Sequence, residues 1–428
     1  MNESLQKLTE FLQSSLTAYH ATQNAERILR ENGFTALSEA EDWEISEGGK
    51  YFVTRGASLV AFTVGGLDNF HYKIVASHLD SPMLKLKENP IVKSAGCLSL
   101  NVETYGGGIW YSFFDRPLTI AGQVIKNENG KLVKELVQSP FFVTVPSQAV
   151  HINRTVNESF AVNPQVDLLP LLSLDFENAE EKFLSSISGE GRVIAYDLFA
   201  VSAQSPYTFG VNDEFIASPR IDNLTSVCAS IEGLITHAES DGVCVATLFN
   251  HEEIGSRTPQ GACGDFLENT LRRIAYALRF DDNEYYKALL SSFLLSVDNA
   301  HATHPNHPEK SDVTNKTKLG AGVAIKSHAN GAYATDALSS AVVKTVFEKA
   351  GVKYQSFFNR SDAKSGSTLA MASLARFGVN GADIGLPQLA MHSACECFAK
   401  NDYAEMCNGI TAFFSSDLLF EEGGIVIR

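Results

Sequence analysis

Val243-Cys244-Val245-Ala246-Thr247-Leu248 runs straight into Phe249-Asn250-His251-Glu252-Glu253-Ile254-Gly255-Ser256. The near-continuous apolar run predicts a strand buried on both faces, as in a parallel sheet covered by helices. Two adjacent glutamates at the end of such a strand need a cause, because acids are seldom buried unless they are paired or bind a metal. Neighbouring side chains leaving a strand end point in different directions. One carboxylate can then hold a cation while the other works on a water beside it. The alternative is a solvated strand end, and His-Glu-Glu alone is too short a motif to choose between them.

The flanking sequence adds matching units. Leu5, Leu8, Phe11, Leu12 and Leu16 share a helical face, and a second helix is expected around Ala25-Leu29, stopped by Asn32-Gly33. Tyr51-Phe52-Val53-Thr54 and Ser58–Val64 flank Arg55-Gly56-Ala57 as a hairpin, and Lys73-Ile74-Val75-Ala76-Ser77 leads into His78-Leu79-Asp80. From about Lys87 to residue 203, turn-rich strand signals dominate. Asn129-Gly130 lies between two apolar runs there, the strongest short hairpin signal. Tyr105-Gly106-Gly107-Gly108 marks a hinge or a close backbone approach. Strand and helix alternate again after residue 205. Asp222 opens an amphipathic helix, a helix follows around Phe266-Leu278, and Phe293-Leu294-Leu295-Ser296-Val297 ends at Asp298. Helices are also expected at Ala337-Ala350 and near Ala404-Leu418. The pattern predicts an α/β fold with a central mixed, largely parallel sheet flanked by helices, interrupted by an inserted, mostly β domain. The expected division is 1–87 and 204–428 for the first domain and 88–203 for the insert.

His78, Glu252 with Glu253, Asp298 and His392 each follow an apolar run, and in open α/β sheets sites collect at the carboxyl ends of strands. Asp222 joins from a helix start. Two histidines with several carboxylates and no cysteine suit zinc, and the excess of carboxylate suits two ions sharing a bridging ligand. Asp80 is placed to accept the other ring N–H of His78 and fix its tautomer. Singly, each residue has an ordinary explanation, such as a core histidine, a helix N-cap or a turn former. His301 and His304 are rivals as an i, i+3 pair, with His307 nearby, but Pro305 breaks any helix that would align them, so they are read as outlying or substrate contacts.

The totals agree. The chain has 428 residues, 44% hydrophobic and 20% charged, which is ample for a large core and for two or three domains. A net charge of −16 argues against nucleic-acid and anionic-membrane partners. The seven cysteines show no CxxC zinc spacing and read as reduced thiols, and the N-terminal residues lack a signal-peptide pattern. A cytoplasmic enzyme is expected.

In this order, several stretches resemble the aspartyl aminopeptidase family of di-zinc exopeptidases over nearly the whole chain. They are Leu16-Thr17-Ala18-Tyr19-His20-Ala21, His78-Leu79-Asp80-Ser81-Pro82, Gly106-Gly107-Gly108-Ile109-Trp110 and Phe114-Asp115-Arg116-Pro117-Leu118. They continue with Ser218-Pro219-Arg220-Ile221-Asp222-Asn223-Leu224, the His-Glu-Glu stretch, Asn359-Arg360-Ser361-Asp362 and Met391-His392-Ser393. The resemblance implies a zinc-peptidase domain with an inserted β dimerisation domain. It implies two zinc ions per subunit, other divalent metals being possible, with Asp222 bridging, His78 and Asp298 completing one site, and Glu253 and His392 the other. Glu252 would be the general base, with Asp80 in the catalytic set, and peptides would lose N-terminal residues. It further implies dimers and then dodecamers, with His151 reaching a neighbour's active site, and a substrate pocket that includes Lys326 and Tyr333.

The chain departs from the family in the residues that surround that pocket. Gly331-Ala332 precede Tyr333 where the family has Gln-Arg, Ala394-Cys395-Glu396 follow Met-His-Ser without the family's Arg, and Asp362-Ala363-Lys364-Ser365-Gly366 replaces the usual loop. Lys326 is the matching cation, so N-terminal Asp or Glu is the expected preference. The competing readings are a neutral-residue aminopeptidase, a carboxypeptidase or deacylase on a similar site, and a catalytically silent peptide-binding scaffold. Retention of Glu252 with all five proposed ligands favours an enzyme.

Overall fold

A computed structural model describes residues 3–188, 191–363, 365–366, 368–369, 378–421 and 423–428. Val243–Phe249 is buried at every position. Its side chains alternate between two cores. Cys244, Ala246 and Leu248 pack with the helices Glu3–Ser14, Ala18–Glu31, Ile221–Thr236, Ala337–Ala350 and Lys400–Ser415. Val243, Val245 and Phe249 pack with Phe266–Ala277 and Asp282–Leu290. Burying each such aliphatic or aromatic side chain is worth about 1.5–3 kcal/mol. The run is therefore apolar throughout because neither face meets water.

The central sheet has nine strands, ordered Thr35–Leu37, Lys50–Arg55, Ser58–Val64, Val243–Phe249, Tyr72–His78, Phe293–Val297, Asn380–Gly385, Val323–Lys326 and Tyr354–Phe357. The four strands from Val243–Phe249 to Asn380–Gly385 are mutually parallel, and antiparallel pairs flank them, so the sheet is mixed as expected. Phe249 sits opposite His78, which brings the Glu252 turn level with that histidine. The hairpin at Gly56-Ala57 pairs Arg55 with Ser58.

A second, six-stranded antiparallel sheet is ordered Lys131–Val143, Leu118–Glu128, Val193–Ser202, Met83–Ser94, Cys97–Tyr105 and Leu171–Leu174. The helix Ala179–Ser188 packs on it around its own core. At the Asn129-Gly130 turn both residues have positive φ, 54° and 87°, matching the twist of a two-residue hairpin. The buried guanidinium of Arg220 joins the pieces, donating to the carbonyls of Leu12, Ser15 and Ser202.

Three details differ from the sequence reading. The second helix begins at Ala18, well before Ala25, because Thr17 turns the chain as its N-cap. Asp282–Leu290 is a helix that periodicity did not reveal; it is set by the Asp281/Glu284 capping box. The strand before His392, Pro387–Leu389, belongs to a separate five-stranded sheet with Ala300–His301, Glu396–Ala399, Phe215–Ser218 and Tyr207–Phe209.

Candidate metal centre

His78 is the last residue of its strand and is 2% exposed. Its Nδ1 donates to the backbone carbonyl of Asp80 at 3.0 Å, which turns Nε2 and its lone pair inward. There Nε2 lies 3.4 Å from Asp222 Oδ1, 3.6 Å from Asp298 Oδ1 and 4.0 Å from Glu252 Oε2. His392 is arranged the same way from another part of the chain. Its Nδ1 donates to the Gly107 carbonyl at 3.0 Å, and its Nε2 lies 3.4 Å from both Asp222 Oδ2 and Glu253 Oε1. Asp222 thus turns one oxygen to each histidine. The groups that can hold an ion are His78/Asp222/Asp298, Asp222/Glu253/His392 and His78/Glu252/Glu253. Among the described residues no such group includes His301 or His304. His301 bonds Asn359 Oδ1 at 3.1 Å and packs edge-on against Phe357, while His304 is exposed beside His307.

The electrostatics are those of a cation site. Asp222 Oδ1 and Glu253 Oε1 are buried without a hydrogen-bond donor, and each such orphaned acceptor costs about 1–3 kcal/mol, more when charged. Burial pushes the Glu252 carboxyl up to about 7, and burial with Asp222 beside it holds Glu253 well above the usual carboxylate range. Burial opposes charge on His392, yet Asp222 and Glu253 raise it to about 10, and His78 is likewise raised well above its ordinary value. Acids buried this close to two imidazoles favour positive charge at the site. Zinc fits the donors, which are imidazole nitrogens and carboxylate oxygens with the outer ring N–H groups anchored.

The Asp80 carboxylate does not take the His78 N–H, from which it stands 3.6 Å away. It is occupied by the backbone N–H groups of Glu252 and Glu253, both at 3.1 Å, and by the Tyr105 hydroxyl at 2.8 Å. Asp80 therefore fixes the peptide planes of the two glutamates, and its carbonyl sets the histidine.

The sequence reading had no role for Glu396. It is buried and accepts from the backbone N–H of Asp222 at 3.0 Å and of His392 at 2.6 Å, tying the shared acid to one histidine. Burial first, then Asp222, raises its carboxyl to about 8. Its position four residues after His392 was the only signal. The Gly107 carbonyl and Tyr105 were equally hidden. Gly106, with φ 73°, would set a Cβ 3.1 Å from that of Glu253, so the glycine run is a close approach.

A cavity of about 240 Å³ opens over the centre, lined in part by Glu252, Asp298, Lys326, Tyr333, Phe357 and Met391. Lys326 is buried, not the solvated lysine that is commonest for this residue. Its ammonium donates to the carbonyls of Asp298 at 2.8 Å and Asn299 at 3.2 Å and stands 5.0 Å over the Tyr333 ring. The Asp298 carboxylate forms an ion pair with it at 3.7 Å, longer than a hydrogen bond. Burial opposes the charge on Lys326, but Asp298, Tyr333 and Asp383 keep it above the ordinary lysine value. His151 lies elsewhere, exposed in a turn. Lys364, the extra cation of the departing loop, lies outside the described residues.

A mixed α/β sheet with two histidines and four carboxylates around a cavity at its strand ends defines a metal-dependent hydrolase. The sequence matches the family of aminopeptidase I zinc metalloproteases (M18) over residues 11–414. It is 39% identical over 414 residues to "Probable M18 family aminopeptidase 2" of Clostridium novyi (strain NT), covering 93% of this chain and 95% of that protein. To the protein of that name in Pseudomonas aeruginosa (strain UCBPP-PA14) it is 37% identical, covering 97% and 98%. Among solved structures, a chain from the cryo-EM structure of the Ape4 and Nbr1 complex aligns with a TM-score of 0.91 at 33% identity, over 96% of this chain and 85% of that one. The crystal structure of prApe1 aligns at 0.88 and 26%, over 96% and 94%. The chain belongs to the M18 family and is a zinc-dependent aminopeptidase. No helix among the described residues is long and apolar enough to cross a membrane.

Proposed function

We infer that the protein removes N-terminal Asp or Glu from peptides with the help of two zinc ions, which Asp222 would share. His78 and Asp298 would hold one, and Glu253 and His392 the other. The observation that carries this reading is the division of the two Asp222 oxygens between His78 and His392. Zinc there supplies Lewis acidity, lowering the pKa of water and polarising a carbonyl oxygen. Glu252 takes the proton of the attacking water and returns it to the departing amine. Its carboxylate is held at the cavity because Asp80 accepts its backbone N–H. The acids around it suit the substrate's free ammonium, which restricts cleavage to chain ends.

Lys326 supports the acidic preference as a compact ammonium that lines the cavity, a match for a single carboxylate. We assign residues 1–87 and 204–428 to the catalytic domain and 88–203, which carry most of the six-stranded sheet, to dimerisation. His151 would complete a neighbour's site in a larger assembly; a related solved structure, at 26% identity, is the S. cerevisiae mApe1 dodecamer. Cysteines that form no disulfide among the described residues accord with a cytoplasmic setting.

A panel of aminoacyl and N-acyl chromogenic substrates on zinc-reconstituted protein tests the reading. Fastest release from Asp and Glu substrates supports it. Faster cleavage of Leu or Ala makes the chain a neutral aminopeptidase, and cleavage of N-acyl substrates alone overturns the aminopeptidase mechanism.

A further inference from the structure

The six-stranded sheet sends one segment across to the metal centre. Cys97–Tyr105 is a strand of that sheet, and the five residues from Tyr105 to Ile109 touch three parts of the site. The Tyr105 hydroxyl donates to Asp80 Oδ2 at 2.8 Å. Gly106 passes against the Glu253 side chain. The Gly107 carbonyl accepts from His392 Nδ1 at 3.0 Å, and the Ile109 N–H donates to the His392 carbonyl at 2.9 Å.

Tyr105 is the member whose contribution can be isolated. Asp80 accepts from the backbone of Glu252 through Oδ1 and of Glu253 through Oδ2. Those two donors, one on each oxygen, set the plane of the carboxylate. The Tyr105 hydroxyl adds a third donor on Oδ2, from the other sheet, and stiffens that plane and with it the two peptide planes. The tyrosine is itself held, its ring edge-on to Phe199 at 5.7 Å on the neighbouring part of the same sheet. A cavity of about 210 Å³, lined by Tyr105, Asp80, His251 and Asp197, lies behind the clamp.

We propose that Tyr105 is a positioning residue for the reaction, setting the orientation of the Glu252 carboxylate from the second sheet through the Asp80 carboxylate. The proposal rests on Glu252 being the general base. It gives the second sheet a part in catalysis within a single chain.

The test is Tyr105→Phe in the full-length, zinc-loaded protein, with steady-state kinetics, zinc content and thermal melting. Outer partners of this kind typically contribute about 10–100-fold to activity or metal affinity. The expected result is a fall in kcat of about that size, with KM within about twofold, unchanged zinc content and a cooperative melt. A double-mutant cycle separates positioning from general damage. In the Glu252→Gln background, Tyr105→Phe should cost almost nothing more, since the group it orients no longer moves a proton. If Tyr105→Phe does not fold, Asp80→Asn attacks the same clamp from the central sheet and should give the same split between kcat and KM. Wild-type kcat in Tyr105→Phe overturns the proposal, as does an equal loss in the Glu252→Gln background. Should Glu252→Gln itself be fully active, the base assignment fails, and that result is distinct from a failure of Tyr105.

Discussion

Replacing Lys326 by alanine probes substrate choice and architecture together, and the structure separates the two effects. The ammonium is 2% exposed and donates to the Asp298 and Asn299 carbonyls, the backbone that aims the Asp298 carboxylate. Alanine removes two hydrogen bonds from a charged donor, worth about 1.5–3 kcal/mol each. The variant should therefore lose about 3–6 kcal/mol of stability, a large share of the roughly 5–15 kcal/mol available. All substrates should slow, because Asp298 is loosened. The selective part appears in the ratio of kcat/KM for Asp over Ala substrates. One lost charge-assisted hydrogen bond to the side chain lowers that ratio by about 10–100-fold. The assay is kcat/KM on matched Asp and Ala aminoacyl substrates, with a denaturant melt of the same preparation. An unchanged ratio refutes the specificity argument, and wild-type stability refutes the structural one.

Glu252→Gln should keep its zinc and lose about 10²–10⁴-fold in kcat, the usual share of general acid–base catalysis; near-normal turnover would remove Glu252 from that role. Glu396→Gln exchanges one of the two carboxylate oxygens that accept from backbone N–H groups for an amide N–H, so zinc affinity measured by chelator competition should weaken about 10–100-fold; unchanged affinity would make Glu396 a bystander. The metal-free protein should become less stable as pH rises from 7 to 9. His392, raised to about 10, and Glu396, raised to about 8, keep protons in the folded state that the unfolded chain has released. Each excess native proton lowers stability by about 1.4 kcal/mol per pH unit. Zinc should flatten the dependence, because it displaces those protons. Chemical melts with and without zinc read this directly, and a metal-free stability that rises over the interval contradicts it.

The strand ends were legible in the sequence because burial on both faces forces an unbroken apolar run, and the polar residue that breaks it must lie at an end. His78, Glu252, Glu253 and Asp298 were found this way. Asp222 was visible as the acid that opens Ile221–Thr236, although not that its two oxygens face opposite ways. What stayed hidden works through the backbone across long sequence separations. Gly107 holds His392 through a carbonyl, and Asp80 holds Glu252 and Glu253 through N–H groups, so no side-chain pattern reports either contact. Glu396 was seen only as a neighbour of His392. Lys326 was assigned to substrate by resemblance, but its two carbonyl bonds reach across Asn380–Gly385 to the residues that follow Phe293–Val297, which only three-dimensional register reveals. The Asp282–Leu290 helix was missed because a nine-residue helix with its apolar face shared by Tyr285, Ala288 and Leu289 offers little periodicity.

Asp222 is proposed to join two zinc sites, one completed by His78 and the other by His392. Elemental analysis of zinc-reconstituted protein after removal of free metal is the direct test. About two zinc per chain are expected in the wild type, about one in each of His78→Ala and His392→Ala, and almost none in Asp222→Ala. A single zinc in the wild type, or full occupancy in both histidine variants, would contradict it.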